Sequence, residues 1–195
     1  MKAFNKIDRA EDILDIVKSL EVFAVRRVVS GSSTSDLDSI YNYLSNESFK
    51  NDYNIKFINN YLIKNSPEDS EFEEKFRIAN FQQNNQTKYI LDRLEVKAFG
   101  SGNEGHLPSN RFSVHIEHIA PQKMENFSEW IGFDVLEKEE RRDYITRIGN
   151  LTLLEKKPNI KASNSNFEKK KEFYPCRCFR FSLWNGQILK PVTFQ

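Results

Sequence analysis

The apolar residues change their spacing partway along the chain, and that change limits the folds open to it more than any other feature. Through the first hundred residues they recur every three or four positions, the period of a helix face. Ile13, Ile16, Val17, Leu20, Phe23, Ala24 and Arg27 predict one long amphipathic helix over about 8–30, ended at Ser30-Gly31. Ser35, followed by Asp36 and Asp38, reads as the N-cap of a second helix striped by Leu37, Ile40, Tyr41 and Leu44. Phe57, Ile58, Tyr61 and Leu62 form a third stripe, and Phe72, Phe76 and Ala79 a fourth. A fifth runs through Tyr89, Ile90, Leu91, Leu94 and Ala98 and stops at Gly100. All five are expected to be core.

Residues 100–110, GSGNEGHLPSN, hold three Gly and a Pro and predict an exposed loop. Beyond it Phe112, Val114 and Ile116 alternate as a short strand over 112–119. A charged helix is expected at 137–148, a second strand at 149–154, and a helix at 163–174 capped by Ser163. The expected fold is therefore mostly helical α+β. Its expected parts are a helical subdomain at 1–110, a compact α+β subdomain at 111–174, and a tail at 175–195 that leaves the helical pattern after Tyr174.

Composition narrows the class. The 195 residues include 13% aromatics, with 16 Phe against 7 Gly and 6 Pro, which excludes a wholly disordered chain. No window approaches the ~18 uninterrupted apolar residues of a membrane span. The charged start, MKAFNKIDRAEDILD, lacks the apolar stretch of a signal peptide. Cys176 and Cys178 cannot make a disulfide framework, so a cytosolic protein without membrane partners is expected. The net charge of +1 conceals a division. Residues 111–195 carry 15 Lys+Arg against 11 Asp+Glu, and residues 1–110 carry 14 against 17. Within 156–190, nine bases, Lys156, Lys157, Lys161, Lys169, Lys170, Lys171, Arg177, Arg180 and Lys190, face only Glu168 and Glu172. Such an excess is the footprint of a polyanion-binding surface or of a solvated helix face.

The chemistry-bearing residues fall in three blocks: HIEHIAPQ at 115–122, IGNLTLL at 148–154, and PN at 158–159 with SNSNFEKK at 163–170. A carboxylate beside a histidine at a strand end suits metal-assisted phosphodiester cleavage. Glu117 offers a hard oxygen ligand for a Mg²⁺-like ion, and the His118 imidazole can take a proton from water. His115 shares a strand face with Glu117 and, paired with His118, offers an alternative zinc site. Cys176 and Cys178 have a poor spacing to complete one, and there is no helical His-Glu-x-x-His.

Taken together, EHIAPQ, Trp130, IGNLTLLEKKPN and ASNSNFEKKKEFY resemble the C-terminal domain of GmrSD-type restriction endonucleases, a branch of the HNH or His-Me finger nucleases. EVFAVRRVVS and KYILDRLE extend the resemblance over about residues 8–174. It implies a helical bundle packed on a ββα-metal finger, with divalent-metal DNA cleavage in restriction or phage defence. Under it His118 is the general base and Glu117 a metal ligand. Asn150 holds the loop that orients the base, and Asn159, nine residues on, is the second ligand of one Mg²⁺ or Mn²⁺. Lys169 and Lys170 would lie on the finger helix near phosphate, while Asn164 and Asn166 read more simply as helix caps. The resemblance also implies a nucleotide-hydrolysing partner domain or subunit, for which no G-x-x-x-x-G-K-[ST] loop is found. The tail departs from the family's usual ending. The competing expectation is a non-catalytic DNA-binding or partner-binding module on the same scaffold.

Overall fold

The computed structural model describes residues 10–51, 53–99, 114–123, 130, 133 and 135–174. The 100–110 loop, the tail at 175–195 and its two cysteines lie outside the described residues. The chain is mostly helical with one two-stranded antiparallel sheet among the described residues. It divides into two compact units, 1–77 and 78–195.

The first unit is built from α1 (Ala10–Val29), α2 (Leu37–Lys50) and α3 (Ile55–Lys64), followed by α4 (Asp69–Ile78), which runs to the boundary. Phe23, Ile40, Leu44, Ile58 and Leu62 form its core, with Ile16, Leu20, Leu37, Phe57 and Tyr61 packed against them. In α1, Val17 and Ala24 are exposed, so the buried stripe is narrower than the spacing alone suggests. Gly31, with φ +67°, ends α1 by entering the left-handed region that favours glycine. The residue preceding α2 is Asp36, which makes no side-chain cap bond, and Ser35 instead pairs with Ser33. Stripe four, on α4, buries no residue fully, correcting its expected core role. Its start is fastened to α1, because Arg26 pairs with Asp69 at 2.7 Å and donates to Pro67 O at 2.6 Å.

The second unit begins with α5 (Asn85–Phe99), which packs on the sheet rather than belonging to the helical half. The unit division thus falls before α5, not in the 100–110 loop. Ile90 and Leu91 are buried, and α5 contacts β2 (Leu151–Glu155). The other strand is β1 (Val114–His118), in a register that sets His118 opposite Leu151 and Ile116 opposite Leu153. β2 buries four successive residues, Leu151 to Leu154, where a one-sided strand would bury alternate ones. Between the strands lies α6 (Lys138–Thr146), joined to β2 by a 3-10 turn at Ile148–Asn150.

After β2 the chain makes two short helices, α7 (Lys156–Ala162) and α8 (Phe167–Lys171), where one helix over 163–174 was expected. Asn166 caps α8 through its side chain, accepting from Lys169 N at 3.1 Å. Ser163, the expected cap, adopts φ +42° in the link between the helices. Ile119, Ala120, Trp130 and Phe133 form one core cluster, and Leu154, Ala162 and Tyr174 a second, with Phe167 packed on both. Among the described residues no helix is long and apolar enough to cross a membrane.

Candidate functional site

The C-terminal end of β1 forms the wall of a cleft of about 300 Å³, which α5, α7 and the link to α8 also line. Glu117 and His118 both line it, although consecutive strand residues ordinarily face opposite ways. β1 ends at His118, and the bend at Ile119–Ala120 follows at once.

Asn150 fixes that bend. Its side chain accepts from Ala120 N at 2.7 Å and donates to Ala120 O and to Ile145 O, both at 2.9 Å. Its own carbonyl accepts from Ile119 N at 2.9 Å. A buried carboxamide can satisfy a backbone donor and two acceptors together, which Asp, Ser or Leu cannot do.

His118 is 6% exposed. Burial pushes its imidazole down to about 4, helped by the positive charge of Lys170, so the ring is neutral near pH 7. Gln83 lies 3.3 Å from Nδ1 and Gln122 3.4 Å from Nε2. A neutral imidazole has one donor and one acceptor nitrogen. Both glutamines present their amide nitrogen, Nε2, to the ring, so one donates to the acceptor nitrogen while the other lies beside the ring N–H without accepting from it.

Lys170 is not on the solvent face. It is fully buried, and its Nζ donates to Glu117 Oε1 and to His118 O, each at 2.6 Å. This corrects the expectation of a phosphate-contacting Lys170: α8 turns it inward onto the two residues at the end of β1. Burial pushes the Glu117 carboxyl above its ordinary range, opposed by the Lys170 charge. Burial likewise pushes the Lys170 ammonium down, opposed by Glu117. Desolvation exceeds attraction for both partners, the usual balance in a buried ion pair. The other expected nucleic-acid contacts, Lys156, Lys157, Lys161, Lys169 and Lys171, are exposed. Lys171 pairs with Glu168 at 2.7 Å and caps the Phe167 ring.

Asn159 lies half-buried in α7 and lines the same cleft as Glu117 and His118, with Ser163 and Asn164 beside it. Asn164 therefore faces the cleft instead of capping a helix. Oxygen donors for a hard cation are thus available from Glu117, through the oxygen that Lys170 leaves free, and from the Asn159 amide. Among the described residues no group of three or more His, Cys, Asp or Glu could hold a metal ion, so a zinc site on His115 and His118 lacks further ligands. His115 is exposed at the cleft edge.

Sequence reasoning missed Gln83 and Lys88, which reach the cleft from the start of α5 and its approach. Nothing in a helical stripe marks which polar residue will face a strand that follows some thirty positions later.

No curated protein and no solved structure matches the chain. The family described as GmrSD restriction endonucleases, C-terminal domain, matches residues 66–189. The match begins after the block at 21–30, which lies outside it, and it takes in most of the tail that looked foreign to the family. It covers well over half of the chain, with all of Glu117, His118, Asn150, Asn159 and Lys170 inside, and the chain accordingly belongs to the family of GmrSD restriction endonuclease C-terminal domains.

Proposed function

We propose that the chain is a divalent-metal-dependent DNA endonuclease of the HNH, or His-Me finger, type, acting in restriction of foreign or phage DNA. One observation carries the reading: a buried, neutral imidazole, held by two amides, lines a polar cleft beside the carboxylate of the preceding residue. In this reading β1, β2 and the helices after them are the ββα finger. His118 would take a proton from the attacking water through its unprotonated nitrogen once the glutamine amide that donates to that nitrogen gives way to the water. Asn150 keeps the backbone after His118 from shifting, so the ring stays aimed at the cleft. Glu117 and Asn159 would hold one Mg²⁺ or Mn²⁺, which when bound stabilises charge on the phosphate and leaving oxygens. Two protein donors suit an ion that keeps several waters and borrows phosphate oxygens. The exposed lysines of α7 and α8 meet the backbone without reading sequence.

The test is cleavage of supercoiled plasmid with Mg²⁺ or Mn²⁺ against chelator. His118→Ala should slow cutting by ~10²–10⁴-fold, the usual contribution of a general base, while His115→Ala should be mild. Cutting by His118→Ala within about tenfold of the parent would remove the base from His118. A second reading, a non-catalytic DNA-binding module, draws on the Lys170 ammonium, which already neutralises Glu117. Duplex binding by the parent with no cutting in either metal would favour it.

A further inference from the structure

The cleft holds more charge than the motif residues account for. Among the described residues, three Lys, Arg, Asp or Glu side chains line it: Lys88, Glu117 and Lys170. Glu117 and Lys170 cancel in a buried pair with 2.6 Å between Oε1 and Nζ. Lys88 is left over. Its ammonium has no acceptor partner among the described residues, although the side chain is half-buried against the cleft. The remaining wall is rich in side chains that can donate, with Gln83, Gln122, Ser163 and Asn164. A concave surface with one unmatched cation and several neutral donors is complementary to an anion.

The position of Lys88 is rigid. It sits in the first turn of α5, where Asn84 caps the helix by accepting from Thr87 N at 2.9 Å and, through its backbone carbonyl, from Lys88 N at 3.1 Å. Ile90 and Leu91, two and three residues on, are buried in the same unit, so the helix cannot roll.

We propose that Lys88 receives a backbone phosphate of the bound DNA, beside the phosphate that is cut, so that α5 forms one wall of the substrate cleft. The assignment rests on the nuclease reading above, and it adds a contact from outside the basic stretch at 156–190. A point cation on a flexible stem suits this task, since it meets phosphate oxygens without demanding one geometry.

The experiment measures binding of a short fluorescent DNA duplex in chelator, where nothing is cut, over a series of salt concentrations. Parent, Lys88→Ala, Lys88→Arg and Lys97→Ala are compared; Lys97 is exposed on the same helix and does not line the cleft. Lys88→Ala should weaken binding and reduce the slope of log affinity against log salt by about one unit, the release expected for one phosphate contact. Lys88→Arg should keep the parental slope. A parental slope in Lys88→Ala, or an equal loss in Lys97→Ala, would overturn the inference while leaving plasmid cleavage by the parent as separate support for the nuclease. A parent that binds no duplex and cuts no plasmid would overturn both.

Discussion

Replacing Lys170 by Met tests the feature on which the candidate site most depends. The side chain is fully buried, and its ammonium makes two short bonds, to Glu117 Oε1 and to His118 O. Methionine keeps most of the aliphatic volume, so the packing loss is small. What remains is a buried carboxylate without its cation and a strand-end carbonyl without its donor. Removing one partner of a buried ion pair costs about 3–5 kcal/mol. The orphaned carbonyl falls among buried unsatisfied groups, each costing about 1–3 kcal/mol. Together these put the expected loss for Lys170→Met at about 4–8 kcal/mol. Adding Glu117→Gln removes the stranded charge, so the double variant should be more stable than Lys170→Met alone by about 2 kcal/mol, within the range measured for such pairs. Urea unfolding read by tryptophan fluorescence is the assay, because Trp130 is buried in the core of the unit that holds the pair. A loss below about 1 kcal/mol, or a double variant no better than the sum of the singles, would refute the buried pair as a coupled element.

Two further outcomes follow from the same geometry. Asn150→Asp keeps an acceptor for Ala120 N but strands the Ala120 and Ile145 carbonyls and buries a charge, so the urea midpoint should fall by the equivalent of several kcal/mol, at about 1–3 per unsatisfied group; a parental midpoint would show that the bend does not need the carboxamide. His118 is held near 4 in the fold against 6.5 when free, so between those values the unfolded chain binds the proton more readily. Its contribution is then fully present above pH 6.5 and lost as pH falls toward 4, with a slope of at most about 1.4 kcal/mol per pH unit. Comparing parent and His118→Gln across that window by urea unfolding checks it, and a difference that stays constant with pH would show that the ring is not desolvated.

The helical half was legible because a stripe at three- and four-residue spacing needs only local geometry. α1, α2, α3 and α5 appear close to their expected spans, and so do both strands. Glu117 and His118 could be named from their own chemistry at a strand end, whereas the roles of Asn150 and Asn159 came only with the family resemblance of their blocks. The direction of Lys170 was not legible. Among three successive lysines, only the packing of α8 against β1 decides which one turns inward, and charge alone reads all three as surface. The unit boundary was hidden likewise, because the Gly-rich loop marks a change of pattern while the contacts of α5 with β2 decide which unit owns that helix. Gln83 and Lys88 reach the cleft only when the start of α5 comes beside β1, a strand some thirty residues later. Sequence determined the elements and the types of side chain available to the chemistry. Tertiary structure decided which charges cancel in the interior and which polar side chains come together at the cleft, since that depends on burial and distance between residues that no local pattern connects.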